Sequence, residues 1–193
     1  MTELETAKII SSLEHVYQLK SIPRSGWLQA GIPVAGVESI AGHSYGMSML
    51  VLYLRSELQT RGVDIERVMH MAVIHDMAEA IVGDITPQDQ IAVSEKFAAE
   101  SAAFDEIIDS VREGEYFREL WDEFESGQTP EAQVVKRLDK LDMLIQAYYY
   151  EKKYEVNLDS FWKNMDDFFK DSESESIYDH IRLNRSQTKG NKE

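Results

Sequence analysis

The sequence of 193 residues contains no cysteine. That absence excludes disulfides, thiolate metal sites, iron–sulfur clusters and cysteine nucleophiles together, and it fits a reducing compartment. Positive charge is scarce as well: 20 Lys+Arg stand against 35 Asp+Glu, a formal net charge of −15. A nucleic-acid polymer needs a Lys/Arg surface to neutralise its phosphates, so no such partner is expected. A small anionic ligand is less constrained, because one metal ion or one arginine can reverse a local field. No apolar run approaches the roughly 20 residues that span a bilayer. Met1–Lys8 carries Glu3, Glu5 and Lys8 and has no basic or apolar leader pattern. The expectation is a cytoplasmic protein without membrane contact. Prolines are few, at 23, 33, 87 and 130, and the blocks between them show no alternating β-branched runs.

What is present points to helices. With 43% hydrophobic and 28% charged residues, the chain has the composition of one globular domain. Ile9, Leu13, Val16 and Tyr17 share a helical face in Glu5–Leu19, and a Gly/Pro-rich connection follows from Ser21 to Val37. Such a long connection is usually functional or disordered, and its Trp27 argues for order. A second helix is expected over Ser39–Gln59, with Tyr45, Met49 and Leu52, joined by Met47 and Leu54, toward the core. Asp64 suits the cap of a third, Ile65–Val82, apolar nearly all round and ended by Gly83. Further helices are predicted over Ser94–Val111 and Glu115–Glu125, then from the Thr129-Pro130-Glu131 start signal to Lys153, and over Leu158–Lys170 and Ile177–Leu183. The acidic stretch Asp166–Glu175 reads as solvated. The expected architecture is all-α, one compact helical bundle over residues 1–185, with a polar, disordered tail at 186–193.

Five histidines occur, at 15, 43, 70, 75 and 180. His15 and His180 sit on ordinary amphipathic segments, and His70 lies about 140° around the helix from His75, on another face. His75-Asp76 differs, because this polar pair interrupts the most apolar helix of the chain. Burying charge costs several kcal/mol (roughly) unless the charge is paired or bound to metal. A self-satisfied His–Asp pair is one reading. Glu79, one turn further on, favours another, as do His43 and Asp139, which break their own apolar patterns. Two imidazoles and two carboxylates suit a divalent ion with positions left for water and substrate. Mn, Co, Mg, Ni, Fe and Zn are not distinguishable at this level.

His43, His75-Asp76 and Asp139 resemble the H…HD…D signature of the HD-domain metal-dependent phosphohydrolases. The stretches Gly36–Tyr45, Val73–Pro87 and Val135–Met143, with Ile22-Pro-Arg-Ser-Gly-Trp27 and Gln146–Glu151, are similar to the 5′-deoxynucleotidase branch. The likeness covers about residues 10–155. It implies that His43, His75, Asp76 and Asp139 hold a divalent cation and that Glu79 is the general acid/base. It implies a second ion held by Glu79, Asp84 and the carbonyl of Ile85, with Asp84 also at the substrate. Arg24 and Trp27 correspond to an Arg/Trp pair that handles phosphate and nucleoside, here separated by two residues. The implied substrate is a 2′-deoxyribonucleoside 5′-monophosphate, and the implied assembly a homodimer. Another nucleotide (a triphosphate, a cyclic or a modified one) would keep the metal site, and a catalytically silent metal-binding helical module is the rival of another class. Glu79 separates them, since a silent module has no need of an acid on that face. Lys140 and Asp142 flank Asp139 as outer neighbours, while Tyr148–Tyr150, Phe161, Trp162, Phe168 and Phe169 read as core or dimer contacts.

Overall fold

A capping box opens the chain: the Thr2 hydroxyl accepts the Glu5 N–H, and the Glu5 carboxylate accepts the Thr2 N–H. The helix it starts, α1, runs Glu3–Gln18. The computed structural model describes residues 2–109 and 111–190. Within them follow α2 (Ser25–Gln29), α3 (Ile40–Tyr53), α4 (Arg55–Thr60), α5 (Ile65–Ile74) and α6 (Glu79–Val82). The later helices are α7 (Val93–Ile108), α8 (Gly114–Ser126), α9 (Pro130–Tyr154), α10 (Met165–Phe169) and α11 (Glu175–Gly190). Among the described residues there is no strand, and the one β-bridge pairs Pro23 with Ser39. No helix of the described residues is long and apolar enough to cross a membrane.

The start signals work through side-chain oxygens. Ser39 accepts the Gly42 N–H, Asp64 the Arg67 N–H and Thr129 the Ala132 N–H, each closing an orphan donor of the first turn. Pro130 sits at the first position of α9, where its missing N–H costs nothing. This helix has 25 residues, about 38 Å at 1.5 Å per residue. It threads the core with α3 and α5, and Val51, Met71, Val135, Leu138 and Leu141 are fully buried where the three meet. Two of the four metal-ligand candidates, His43 on α3 and Asp139 on α9, thus stand on the most buried helices, and the other two, His75 and Asp76, follow α5 directly. The backbone beneath the site is rigid for that reason.

Several sequence expectations are corrected. The helix over Ser39–Gln59 is divided at Leu54, and its buried side is Ile40, His43, Met47, Leu50, Val51 and Leu54. Tyr45 is 68% and Leu52 55% exposed. α3 is apolar around much of its circumference, so spacing alone selects no face. The segment Leu158–Lys170 is two short helical pieces, Asp159–Trp162 and α10, separated by Asn164 at φ +61°. The acidic stretch is not all solvated: Glu173 is only 3% exposed, and both its oxygens accept from Arg137 Nε at 2.8 and 3.1 Å. Residues 186–190, expected as a disordered tail, continue α11 to Gly190; the rest of that tail, 191–193, lies outside the described residues. Its helix is anchored by Arg185, which donates to both oxygens of Glu151 at 2.6 and 2.7 Å.

Candidate metal centre

The predicted continuous helix over Ile65–Val82 breaks at residues 75–78, where the site begins. The last regular bond runs from His75 N–H to Met71 O at 2.9 Å. Beyond it four N–H groups reach three residues back, Met77 to Ile74, Glu79 to Asp76, Ala80 to Met77 and Ile81 to Ala78, before Val82 and Gly83 return to bonds four residues back. Such tighter winding eclipses side chains three apart, which brings Asp76 and Glu79 to one edge. Gly83, at φ +75°, ends α6 in a conformation that glycine adopts without strain.

Both ligand-candidate histidines have their tautomer set by a neighbour. His75 Nδ1 faces the Ala72 carbonyl at 3.1 Å, which can only accept, so Nδ1 carries the proton. His43 Nδ1 lies 2.8 Å from Asp142 Oδ2 with the same consequence. The two Nε2 atoms are buried without a hydrogen-bond partner, and the rings stand 5.4 Å apart. His75 Nε2 is 3.1 Å from Asp76 Oδ2; His43 Nε2 is 3.8 Å from Asp76 Oδ2 and 3.3 Å from Asp139 Oδ1. His43, His75 and Asp76 each offer an atom within 4.8 Å of the others. Buried nitrogen lone pairs are ordinarily satisfied, and leaving one unmade costs about 1–3 kcal/mol. Two of them converging on two carboxylates fit a divalent cation, with the outer nitrogens held as metal-bound histidines usually are.

The electrostatics agree. Burial and Arg24 press against a charged His43, yet Asp139 and Asp142 prevail and push its pKa up to about 9. Burial alone would raise Asp76, but His75, Arg24 and His43 hold it well below the usual carboxylate range. Asp139 is held low in the same way, against burial, by Lys140, His43 and Arg24. Both carboxylates are therefore ionised and surrounded by a field that welcomes positive charge. Glu79 is the opposite case. It is 5% exposed with Oε2 unpaired, and burial, then Asp76 and Asp84, push its pKa up to about 10. A carboxyl kept protonated beside ionised neighbours is poised to hand over a proton.

A cavity of about 760 Å³ opens on this cluster, with Arg24, Asp76, Glu79, Asp84, Asp139 and Phe161 in its wall. That volume suits a small organic ligand, such pockets running to roughly 300–1,000 Å³. Arg24 Nη1 donates to Asp76 Oδ2 at 3.0 Å, so Arg24 is brought to the cluster and is no surface pair. Burial opposes its charge, but Asp76, Asp139, Asp84 and Glu79 raise its pKa on balance. Trp27 borders the cavity but is 2% exposed: its indole N–H donates to Glu38 Oε1 at 2.8 Å and its ring stacks on Phe161 at 4.6 Å. It is an anchor that shapes the wall. Asp84 Oδ2 accepts the Ser25 N–H at 2.5 Å, tying the loop before α2 to the loop after α6.

Sequence reasoning placed Asp142 as an outer neighbour of Asp139 without its partner, read Phe161 as a core or dimer contact, and passed over Glu38. Asp142 is the partner of His43, and a β-carbon at Gly46 would lie 2.2 Å from Asp142 Oδ1, so glycine is what admits the carboxylate. The signal was a glycine three residues after His43 on a helix facing α9. Phe161 stands in the short helical piece Asp159–Trp162 after α9, and Glu38 precedes the α3 cap. Neither spacing nor composition marked them.

Comparison with known proteins gives the same answer from outside the geometry. The HD domain family matches residues 16–178. A 5′-deoxynucleotidase of Schizosaccharomyces pombe is 38% identical over 160 residues, 80% of this chain and 78% of that protein. The HDDC2 5′-deoxynucleotidase of Danio rerio is 40% identical over 146 residues, 75% of this chain and 70% of that one. A crystal structure of a Pyrococcus horikoshii protein superposes with a TM-score of 0.74 at 38% identity, over 90% of this chain and 96% of that one. With two buried imidazoles and two ionised carboxylates meeting at the break after α5, and a match across most of its length, the chain belongs to the HD domain family.

Proposed function

We propose that this chain hydrolyses the 5′-phosphate of 2′-deoxyribonucleoside monophosphates. The observation that carries the reading is the pair of buried, unpartnered His43 and His75 Nε2 atoms facing Asp76 and Asp139 on the floor of a nucleotide-sized cavity. His43, His75, Asp76 and Asp139 would hold one divalent ion. When bound, such an ion supplies Lewis acidity, lowering the pKa of water toward neutrality and polarising a phosphoryl oxygen. Arg24 is a fixed positive charge of the cavity wall, held at the metal-ligand cluster, and orients the phosphate dianion. Water adds to phosphorus, the P–O5′ bond breaks, and the deoxynucleoside leaves with a proton. Glu79, protonated and lining the same cavity, is the group that gives that proton to O5′ and afterwards accepts one from water. Trp27, braced by Glu38, Tyr150 and Phe161, forms the apolar wall for the nucleoside.

Two features of the chain beyond the site extend the proposal. The absence of cysteine supports a cytoplasmic enzyme. Tyr45, Leu52 and Tyr53, exposed on one side of α3, support a homodimer through that helix, and Tyr53→Glu should shift the mass in solution to that of a monomer. The activity is tested by phosphate release from deoxy- and ribonucleoside mono- and triphosphates with Mn²⁺, Co²⁺ or Mg²⁺. Release from deoxynucleoside monophosphates, lost in Glu79→Gln, is expected. Release from triphosphates alone would refute the substrate, and activity unchanged after metal stripping would refute the mechanism.

A further inference from the structure

Of the groups that family likeness assigns to a second divalent ion, the Ile85 carbonyl and one of the two Asp84 oxygens already accept hydrogen bonds from the protein. The Ile85 carbonyl accepts from Lys96 Nζ at 3.1 Å, and Asp84 Oδ2 accepts the Ser25 N–H at 2.5 Å. Only Glu79 keeps an unpaired buried oxygen. Lys96 rises from the first turn of α7 into the cavity wall beside Glu79 and Asp84. Its ammonium is held from behind by Glu100, one turn along the helix, at 3.4 Å. The Glu100 side chain is 13% exposed and that of Lys96 38%, so the pair lies at the cavity rim with its acidic partner covered. A hard cation at this point would have to share the Ile85 oxygen with the ammonium and stand against a like charge at close range.

We propose that Lys96 is the resident cation of this subsite, so that the chain binds one divalent ion where its family likeness implies two. The inference rests on the reading of the first ion at His43, His75, Asp76 and Asp139. The consequence is a positive charge at the Ile85 end of the cavity that is tethered covalently and independent of metal supply. It faces Asp84 across the cavity wall without a second coordination sphere.

The test is Mn²⁺ stoichiometry by equilibrium dialysis on the full chain, with circular dichroism confirming the fold of each variant. One ion per wild-type chain is expected, and two in Lys96→Met, which frees the Ile85 carbonyl while keeping the side-chain length. The added ion should disappear again in Lys96→Met/Asp84→Asn. Two ions in the wild type, or the same number in wild type and Lys96→Met, would overturn the proposal. The measured quantity is the gain on substitution, so failure of the first-ion reading looks different: His75→Ala would then leave the wild-type count unchanged while the Lys96→Met gain persisted.

Discussion

Asp142→Asn is the most informative single change, because it leaves every proposed ligand in place. Asp142 Oδ2 accepts the His43 Nδ1 proton at 2.8 Å, and His43 has no exposed surface. A hydrogen bond to a charged group contributes about 1.5–3 kcal/mol. Asparagine keeps the shape but removes the charge that makes Nε2 basic. It can also turn its amide N–H₂ toward the ring, which would drive the proton to Nε2 and block ligation. Losing such an outer partner typically weakens metal binding about 10–100-fold, or about 1.4–2.7 kcal/mol. The two routes to the magnitude agree. Gly46→Ala reaches the same bond from the other side, since its β-carbon would lie 2.2 Å from Asp142 Oδ1 and force that carboxylate to rotate. Calorimetric titration with Mn²⁺ should show the loss in both variants, with melting curves in chelator separating it from unfolding. Wild-type affinity in both would refute the claim that Asp142 positions His43.

Other outcomes follow from the packing. Glu173→Ala removes the buried partner of Arg137 and should cost less than the about 3–5 kcal/mol of a fully buried pair, because Arg137 is partly exposed and can reach water; urea denaturation measures it. Burial, then the bond to Asp166, raises the Tyr178 pKa above its ordinary 10.0. The neutral phenol is the favoured form in the fold, so its contribution is complete below pH 10 and declines as pH rises toward the folded value. Tyr178→Phe should flatten that alkaline slope in pH-dependent melts. Mn²⁺ at about a hundred times its dissociation constant should stabilise the wild type by about 2.7 kcal/mol, and chelator should remove the gain. A melting point indifferent to both would contradict a metal bound in the core.

How much of this was legible depends on where each signal resides. His75-Asp76 stood out because two ionisable residues interrupt an apolar helix, and that contrast is local. Glu79 was found by helical spacing, although the backbone there is wound more tightly than the spacing assumed. Thr129-Pro130 marked the start of α9 because caps act within four residues. The helix breaks at Leu54, at 75–78 and at Asn164 were missed locally, and the errors over which groups meet are long-range. The core face of α3 is decided by where α5 and α9 lie, not by its own near-uniform apolarity. Glu173 looked solvated until Arg137, 36 residues upstream, was brought beside it. Lys96 meeting Ile85, and Asp142 meeting His43 across 99 positions, are likewise products of the tertiary fold.

The Pro23–Ser39 bridge has a consequence for how such an enzyme can diversify. Arg24 N–H bonds to Glu38 O, and Ile40 N–H to Ile22 O, each at 3.0 Å, so the chain leaves and rejoins the bundle at a single clasp. What lies between is a closed ring that supplies Arg24 and Trp27 to the ligand, while the cation floor belongs to helices outside it. Doubling the length of a flexible loop costs only about 0.6 kcal/mol, so the exposed residues 33–35, between buried Ile32 and the Gly36 packed on Tyr154, can be lengthened while the clasp and the floor stay as they are. The stretch 33–35 is in this way the part of the ring that can change without touching Arg24, Trp27 or the cation floor, and it is the natural place to alter the pocket's rim.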